Sequence, residues 1–354
     1  MIKGAAGMAA ALAMPSIVTA QSSKRYDGKT VRLLTWSDDT GLAVLNHIAK
    51  PFEEATGAKV IVDRTGSTSE MVAKLRAAGD RPQYDVITLA GVGGVTLADD
   101  GLLAKPDLNQ LPNLEQVDPQ FRTGADGHGI GYLLWTGGMI YNTKTFKEPP
   151  VSYAQLWDEN VESRLFLPPA TWTDALDTVF ATSLMLGGDG RDGDAAFAKL
   201  AELRDRLLTF GENPTQLVEL FRSNALDIGG VYAPAFFAKE LANPEQSNMG
   251  ASYDLEEGFF ADLMYTIMPK SHPGDDDVVH AFINYTLDAK VQGTMAEAVL
   301  NGPVNTQAVM SKEAQDSPFI IKPEQLSDKA VVHDKDFIAS VREDWIKRYT
   351  QTLS

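Results

Sequence analysis

Between Val31 and Ala90 the chain alternates three short apolar, β-branched runs with two segments whose apolar residues recur at helical spacing. No other feature constrains the fold as tightly. Val31–Trp36, Val60–Val62 and Asp85–Ala90 read as strands. Leu42, Leu45, Ile48, Ala49 and Phe52 form one helical stripe, and Met71, Val72, Leu75 and Ala78 form another. The run at Asp85–Ala90 is continuous and apolar, as expected of a strand covered on both faces. The pattern is a βαβαβ unit. Such crossovers are right-handed and build an open parallel sheet whose ligand crevice lies beyond the carboxyl ends of its strands. Those ends are Trp36-Ser37-Asp38, Ser67-Thr68 and Ala90-Gly91, and the topology predicts that they cluster.

A second region of the same α/β character begins near Gly137. Its strand-like runs are Met139–Tyr141, Leu165–Leu167, Asp227–Tyr232 and Leu263–Met268. A helix is expected from about Asp174 to Met185, with Thr171 or Thr173 as its cap. Another is expected to run through Leu208 after an Asp194 cap, and a terminal helix carries Phe337, Val341, Trp345 and Tyr349. The chain has 354 residues, and at roughly 150 residues per domain that length predicts two lobes. Residues 1–20 form a short Ala/Met/Leu-rich stretch ending Val18-Thr19-Ala20, which reads as a secretory signal cleaved near Ala20 and places the mature protein in the periplasm. With 48 acidic against 31 basic residues the formal charge is −17. That balance repels phosphate backbones and anionic lipid and favours cationic or zwitterionic partners. The chain has no cysteine, which removes thiolate catalysis, disulfides and Cys-ligated metals together.

Catalytic motifs are missing. There is no HExxH, GxSxG or GxxxxGK[ST]; Gly28-Lys29-Thr30 has Ser23 where the first glycine of a phosphate loop would stand. Gly91-Val92-Gly93-Gly94-Val95-Thr96 follows a strand but lacks the last glycine of a dinucleotide loop. Asp189, Asp192 and Asp194 lack calcium-loop order, and the five histidines show no ligand spacing. No cofactor or metal is expected. Asp174 and Asp177 share one helix face at i, i+3 and read as capping residues, ligand contacts or a general acid/base pair.

The informative residues are aromatics and carboxylates at strand ends: Trp36-Ser37-Asp38, Trp135-Thr136, Tyr232, and Phe259-Phe260-Ala261-Asp262. Trp157 and Trp345 lie within helical patterns and read as core. The chemistry fits an amine site. Stripping water from an ammonium is costly unless a carboxylate and other acceptors replace it, and an aromatic face adds ~0.5–2 kcal/mol by cation–π attraction.

Taken in order, Pro51-Phe52-Glu53-Glu54-Ala55-Thr56-Gly57, Tyr84-Asp85-Val86-Ile87, Gly138-Met139-Ile140-Tyr141-Asn142-Thr143-Lys144, Pro269-Lys270, Ala281-Phe282-Ile283-Asn284-Tyr285 and Gly302-Pro303-Val304-Asn305 resemble the periplasmic solute-binding proteins of ABC importers, especially the spermidine/putrescine-binding group. The resemblance implies a two-lobed α/β protein (type II), each lobe an open, mostly parallel sheet with flanking helices. Lobe one would hold 28–136 and 263–304, and lobe two 137–262 and 305–354, with hinges near Trp135–Gly138, Asp262–Leu263 and Pro303–Asn305. It further implies a monomer, not an enzyme, that closes on a small amine and delivers it to permease subunits. The ligand contacts implied or read at the crevice are Trp36, Ser37, Asp38, Thr68, Gly91, Trp135, Asp174, Tyr232, Phe260 and Asp262. Where the polyamine binders offer Ser and Tyr after the third strand, this chain has Ala90, Gly91 and Val92, and no carboxylate follows Tyr232 in Ala233-Pro234-Ala235. A small ω-amino acid such as GABA is therefore the alternative ligand, with Arg122, Arg204, Arg206 or Arg222 to take its carboxylate. Other readings are a hydrolase using Asp174 and Asp177, and a signalling co-receptor.

Overall fold

The structure is a computed structural model that describes residues 24–159, 164–170, 172–211, 213–332 and 334–354. The expected signal at 1–20 lies outside the described residues. The first body opens with β1 (Thr30–Trp36), α1 (Asp39–Val44), α2 (Lys50–Thr56), β2 (Lys59–Thr65), α3 (Thr68–Ala78), β3 (Val86–Leu89) and α4 (Gly91–Asp99). A π-helical turn at Leu45–Ala49 joins α1 to α2. Pro51, which has no N–H to donate into the preceding turn, stands second in α2, just beyond it. β1 pairs with both β2 and β3 in parallel, so the βαβαβ unit forms as its periodicity requires.

Two minor strands, β4 (Leu103–Ala104) and β5 (Thr123–Gly124), precede β6 (Gly129–Asn142). The second body follows with β7 (Leu165–Leu167), α5 (Thr173–Met185), α6 (Gly193–Leu200), β8 (Leu207–Phe210), α7 (Pro214–Arg222), β9 (Ile228–Tyr232), the short helices α8 (Ala238–Leu241) and α9 (Pro244–Ser247), and β10 (Met249–Ser252). The chain returns along β11 (Phe259–Pro269) to α10 (Asp276–Thr286), α11 (Ala289–Val299), α12 (Lys312–Asp316) and α13 (Leu326–Lys329). It ends in β12 (Ala330–Val331) and α14 (Lys335–Leu353). The main strand order is β2-β1-β3-β11-β6-β9-β7-β8. Parallel triplets lie at both ends, and the antiparallel pair β11 and β6 lies between them.

β6 is the structural link between the bodies. Residues Gly129–Gly137 pair with β11, and from Gly138 onward the same strand pairs with β9 and β10. The sequence suggests two separate strands here, broken at the glycines; the structure has one of 14 residues. Gly138 is needed because a Cβ there would lie 2.4 Å from the Ser252 carbonyl oxygen, so the glycine admits β10 rather than ending the strand. One apolar core gathers β1, β3, α10 and α11 around Leu33, Ile87, Phe282 and Met295, and another gathers α5, α6 and α14 around Leu176, Phe197 and Trp345.

Three local expectations are corrected. α5 begins after Trp172 with no side-chain cap, since Thr173 is already helical. Asp192, not Asp194, caps α6 through the Ala195 N–H, and Asp194 instead pairs with Arg348 at 2.6 Å. That helix also stops at Leu200 rather than running through Leu208. The chain after Pro303 stays with the first body well past Asn305. Ala314 and Ile320 pack on Ala296 of α11, Ile321 and Leu326 join the first core, and β12 then meets the start of β11. The buried Gln292 fixes this path, donating to the Tyr132 and Thr286 carbonyls and accepting from the Val304 and Asn305 N–H groups.

Candidate functional site

The carboxyl ends of β1, β2 and β3 carry most of the first lobe's candidates. Trp36 is buried at the end of β1. Arg64, at the end of β2, donates through Nε to the Trp36 carbonyl at 3.0 Å and through Nη2 to those of Ser37 and Asp38 at 2.6 and 2.8 Å. Asp38 caps α1 by accepting from the Gly41 N–H at 3.0 Å. Its residue keeps access to water, yet the surrounding protein desolvates its carboxyl and raises it above the ordinary value, a shift opposed by the Gly41 and Thr40 N–H groups and by Arg64. Thr68 opens α3, and its hydroxyl accepts from the Ala90 N–H at 3.4 Å.

The glycine-rich start of α4 is a close approach rather than a phosphate loop. A Cβ on Gly91 would lie 2.7 Å from Asp262 Oδ1, and one on Gly94 would lie 2.6 Å from the Tyr265 ring. Glycine therefore lets the helix start settle on β11. Asp262 accepts from the Leu263 N–H at 2.8 Å and stands directly opposite Trp135 in the β11–β6 register. Thr68, Gly91, Asp262 and Trp135 are thus neighbours, with Trp36, Ser37 and Asp38 at the adjoining strand ends.

The second lobe brings Asp174 from the first turn of α5 to the end of β9, where the Ala233 N–H donates to it. Asp174 is buried, and its Oδ1 has no hydrogen-bond partner among the described residues. Desolvation, followed by the neighbouring Asp177, pushes its carboxyl up to about 8. Tyr232 is fully buried, donates its hydroxyl to the Leu167 carbonyl at 3.0 Å, and packs on Phe166 and Trp172. Phe260 is likewise buried in the second core, 6.4 Å from the Tyr153 ring. Both rings are buried; Phe260 lies on the face of β11 that also carries Asp262, and Trp135 packs against the same core.

Sequence reading missed Trp172, Phe236 and Arg64. Trp172 is half-buried and stacks at 5.0 Å on Phe236, which packs against cores of both lobes. The available signal was Trp172-Thr173-Asp174, which repeats the aromatic, hydroxyl, carboxylate order of Trp36-Ser37-Asp38. The four arginines considered for a carboxylate ligand are engaged elsewhere. Arg122 donates to Val117 and Glu115, Arg204 to Thr352 and Gln351, Arg206 to Asp158, and Arg222 pairs with Glu219. Two open surface concavities, of about 450 and 420 Å³, are lined around Phe197, Arg204 and Arg348 and around Asp107 and His272; neither includes a residue of the strand-end crevice. Among the described residues no cluster of three or more His, Asp or Glu is arranged to hold a metal, and no helix is long and apolar enough to cross a membrane.

Known proteins fit this arrangement. Residues 47–321 match the family described as bacterial extracellular solute-binding protein. The chain is 27% identical over 304 residues to spermidine/putrescine-binding periplasmic protein 1 of Haemophilus influenzae, covering 82% of this chain and 80% of that protein. The crystal structure of the spermidine/putrescine ABC transporter substrate-binding protein of Streptococcus pneumoniae superposes with a TM-score of 0.74 at 18% identity, covering 92% of this chain and all of that one. The Atu4243-GABA receptor does so with a TM-score of 0.74 at 20% identity, covering 92% and 98%. These likenesses give the two-lobed type II architecture. A shared fold beyond 90% of the length, together with a family match across β6, β11 and both cores, leads to one conclusion: the chain belongs to the bacterial extracellular solute-binding protein family.

Proposed function

We propose that this protein is the extracytoplasmic receptor of an ABC importer, binding a small amine, a polyamine such as putrescine or spermidine, between its lobes and presenting it to the permease as a monomer. The observation that carries the reading is the register pair Trp135 and Asp262. Directly opposed residues of antiparallel strands project from the same face. An indole and a carboxylate therefore share one side of the two strands that join the lobes, the combination a desolvated ammonium requires. Asp38 and Trp36 from the first lobe and Asp174 and Trp172 from the second supply further acid and aromatic groups. A ligand that touches both lobes favours the closed arrangement because only that arrangement contacts it from both sides. Micromolar binding requires about −8 kcal/mol, within reach of a few charge-assisted hydrogen bonds and an aromatic stack. In this reading no bond is broken, and the protein is not an enzyme. The signal is removed near Ala20, and the lobes divide near Trp135–Gly138 and Asp262–Leu263, with the third passage at β12.

Titration calorimetry with putrescine tests the reading. One-to-one binding is expected, weakened at least about tenfold by Trp36→Ala or Asp262→Asn. Retained affinity in both variants would remove the site, and chemical conversion of the ligand during incubation would restore the hydrolase reading for Asp174 and Asp177. The likeness to a GABA receptor supports a second reading, a small ω-amino acid. Thermal stabilisation by GABA alone, against putrescine and spermidine, would select it.

A further inference from the structure

Asp174 and Asp177 lie one turn apart on α5, both buried. The elements packed on α5 are α6, β9, α14 and the 3₁₀ turn Tyr153–Trp157. From α6 come Asp194 and Lys199, paired outward with Arg348 and Glu202. From β9 and the residue after it come the Tyr232 hydroxyl, already donated to Leu167, and the Ala233 N–H, donated to Asp174. From α14 come Tyr349, which donates to the Pro168 carbonyl, and Arg342, whose charge acts on Asp177. The 3₁₀ turn adds Tyr153. Asp174 Oδ1, the Tyr153 hydroxyl and Arg342 Nη1 are buried without hydrogen-bond partners among the described residues. Asp174 is thus a buried carboxyl with one oxygen unpartnered among the described residues and a second carboxylate one turn away, a setting that disfavours its charged form.

We propose that Asp174 carries a proton in the empty receptor and releases it when an ammonium group of the ligand takes its place, so that amine capture is coupled to the loss of one proton. This rests on the amine reading above. The O–H bond of the carboxylic acid breaks, its electron pair stays on the carboxylate, the proton passes to solvent, and the carboxylate accepts a hydrogen bond from the incoming N–H. The upward shift of Asp174, to about 8, means that most empty molecules hold the proton at neutral pH. A neutral or anionic head group would leave it in place, so the proton count reports the charge placed beside Asp174.

The test is calorimetry of the full chain with putrescine in phosphate and in Tris, buffers whose different ionisation heats reveal the protons exchanged. Close to one proton released per putrescine at pH 7 is expected, falling to about half at pH 8. Binding with no proton release in either buffer would overturn the coupling and leave amine capture standing. Absence of binding by putrescine, spermidine and GABA would overturn both. In Asp174→Asn, release is expected to vanish while weaker binding persists; undiminished release from that variant would overturn the assignment to Asp174.

Discussion

Asp85 and Asp174 are both buried aspartates in α/β lobes of similar design, and their surroundings drive them in opposite directions. Asp85 stands just before β3, at the amino edge of its sheet. It accepts from the Arg32 N–H at 2.7 Å and the Gly274 N–H at 2.5 Å, with the Arg32 guanidinium at 3.5 Å and His272 Nδ1 at 3.7 Å, within ion-pair range. Burial alone would raise its carboxyl, but His272, the two N–H groups and the Arg32 charge together hold it below the ordinary value. Asp227, at the amino edge of the second lobe's sheet, is built alike, bonded by the Thr145 hydroxyl and the Arg164 guanidinium. Asp174 sits at the opposite edge, where β9 ends, with only backbone donors, its own N–H and that of Ala233, and a like charge beside it. Both residues are buried, but Asp174 is the more deeply desolvated and has no charged partner of opposite sign beside it. Acids at the amino edges bind elements within their own lobes, and the acid near the carboxyl edges is left short of partners, where a ligand can complete it.

The largest expected effect separates these roles directly. Asp85→Ala strands two part-buried N–H groups and removes the carboxylate that Arg32 and His272 share, and chemical denaturation is expected to show a loss of about 3–5 kcal/mol. Asp174→Asn removes a charge that the fold disfavours, so at pH 8 the variant is expected to be no more than about 1 kcal/mol less stable than the parent, or more stable. Similar losses in both would erase the distinction. The pH dependence sharpens it. Asp174 has a folded value of about 8 against 3.8 in the unfolded chain, so between those values the folded state binds the extra proton. Stability from this group is therefore present at low pH and declines as pH rises through that window, by up to about 1.4 kcal/mol per unit. Asp85, shifted down, has the opposite sign: its contribution is present above 3.8 and is lost as pH falls through its lower folded value. Urea midpoints from pH 5 to 8.5 are expected to show the Asp174 slope in the parent and its loss in Asp174→Asn.

How much of this the sequence disclosed depends on whether a local signal existed. The βαβαβ unit was legible because its periods change cleanly from helical stripes to apolar runs, and the crevice rule then pointed to Trp36, Asp38 and Gly91 without knowledge of packing. β6 was not legible as one strand, because Gly137-Gly138 reads as a break until β11 and β10 are brought alongside. The path after Pro303 has no periodicity to declare its side, and it is settled by Gln292, a buried amide whose partners are distant in sequence. Tyr232 and Phe260 mark a further limit. In a strand covered on both faces, alternation does not tell how deeply a side chain is covered, and both rings are fully buried.

Asp39 supplies the third combination, a partnered but exposed aspartate, and with it the smallest expected effect. Its carboxylate lies 3.8 Å from Lys239 Nζ, joining α1 of the first lobe to α8 of the second, and both side chains are largely exposed. Water screens such a pair, and holding two mobile chains together offsets most of the attraction. Lys239→Ala is therefore expected to move stability by less than about 0.5 kcal/mol and putrescine affinity by less than about twofold, measured by denaturation and calorimetry near 0.15 M salt. A loss approaching that of Asp85→Ala would mean that pairing alone, without burial, sets what an aspartate contributes here. The contrast between Asp85 and Asp174 would then need another cause, because it assumes that a missing partner matters only where water cannot take its place.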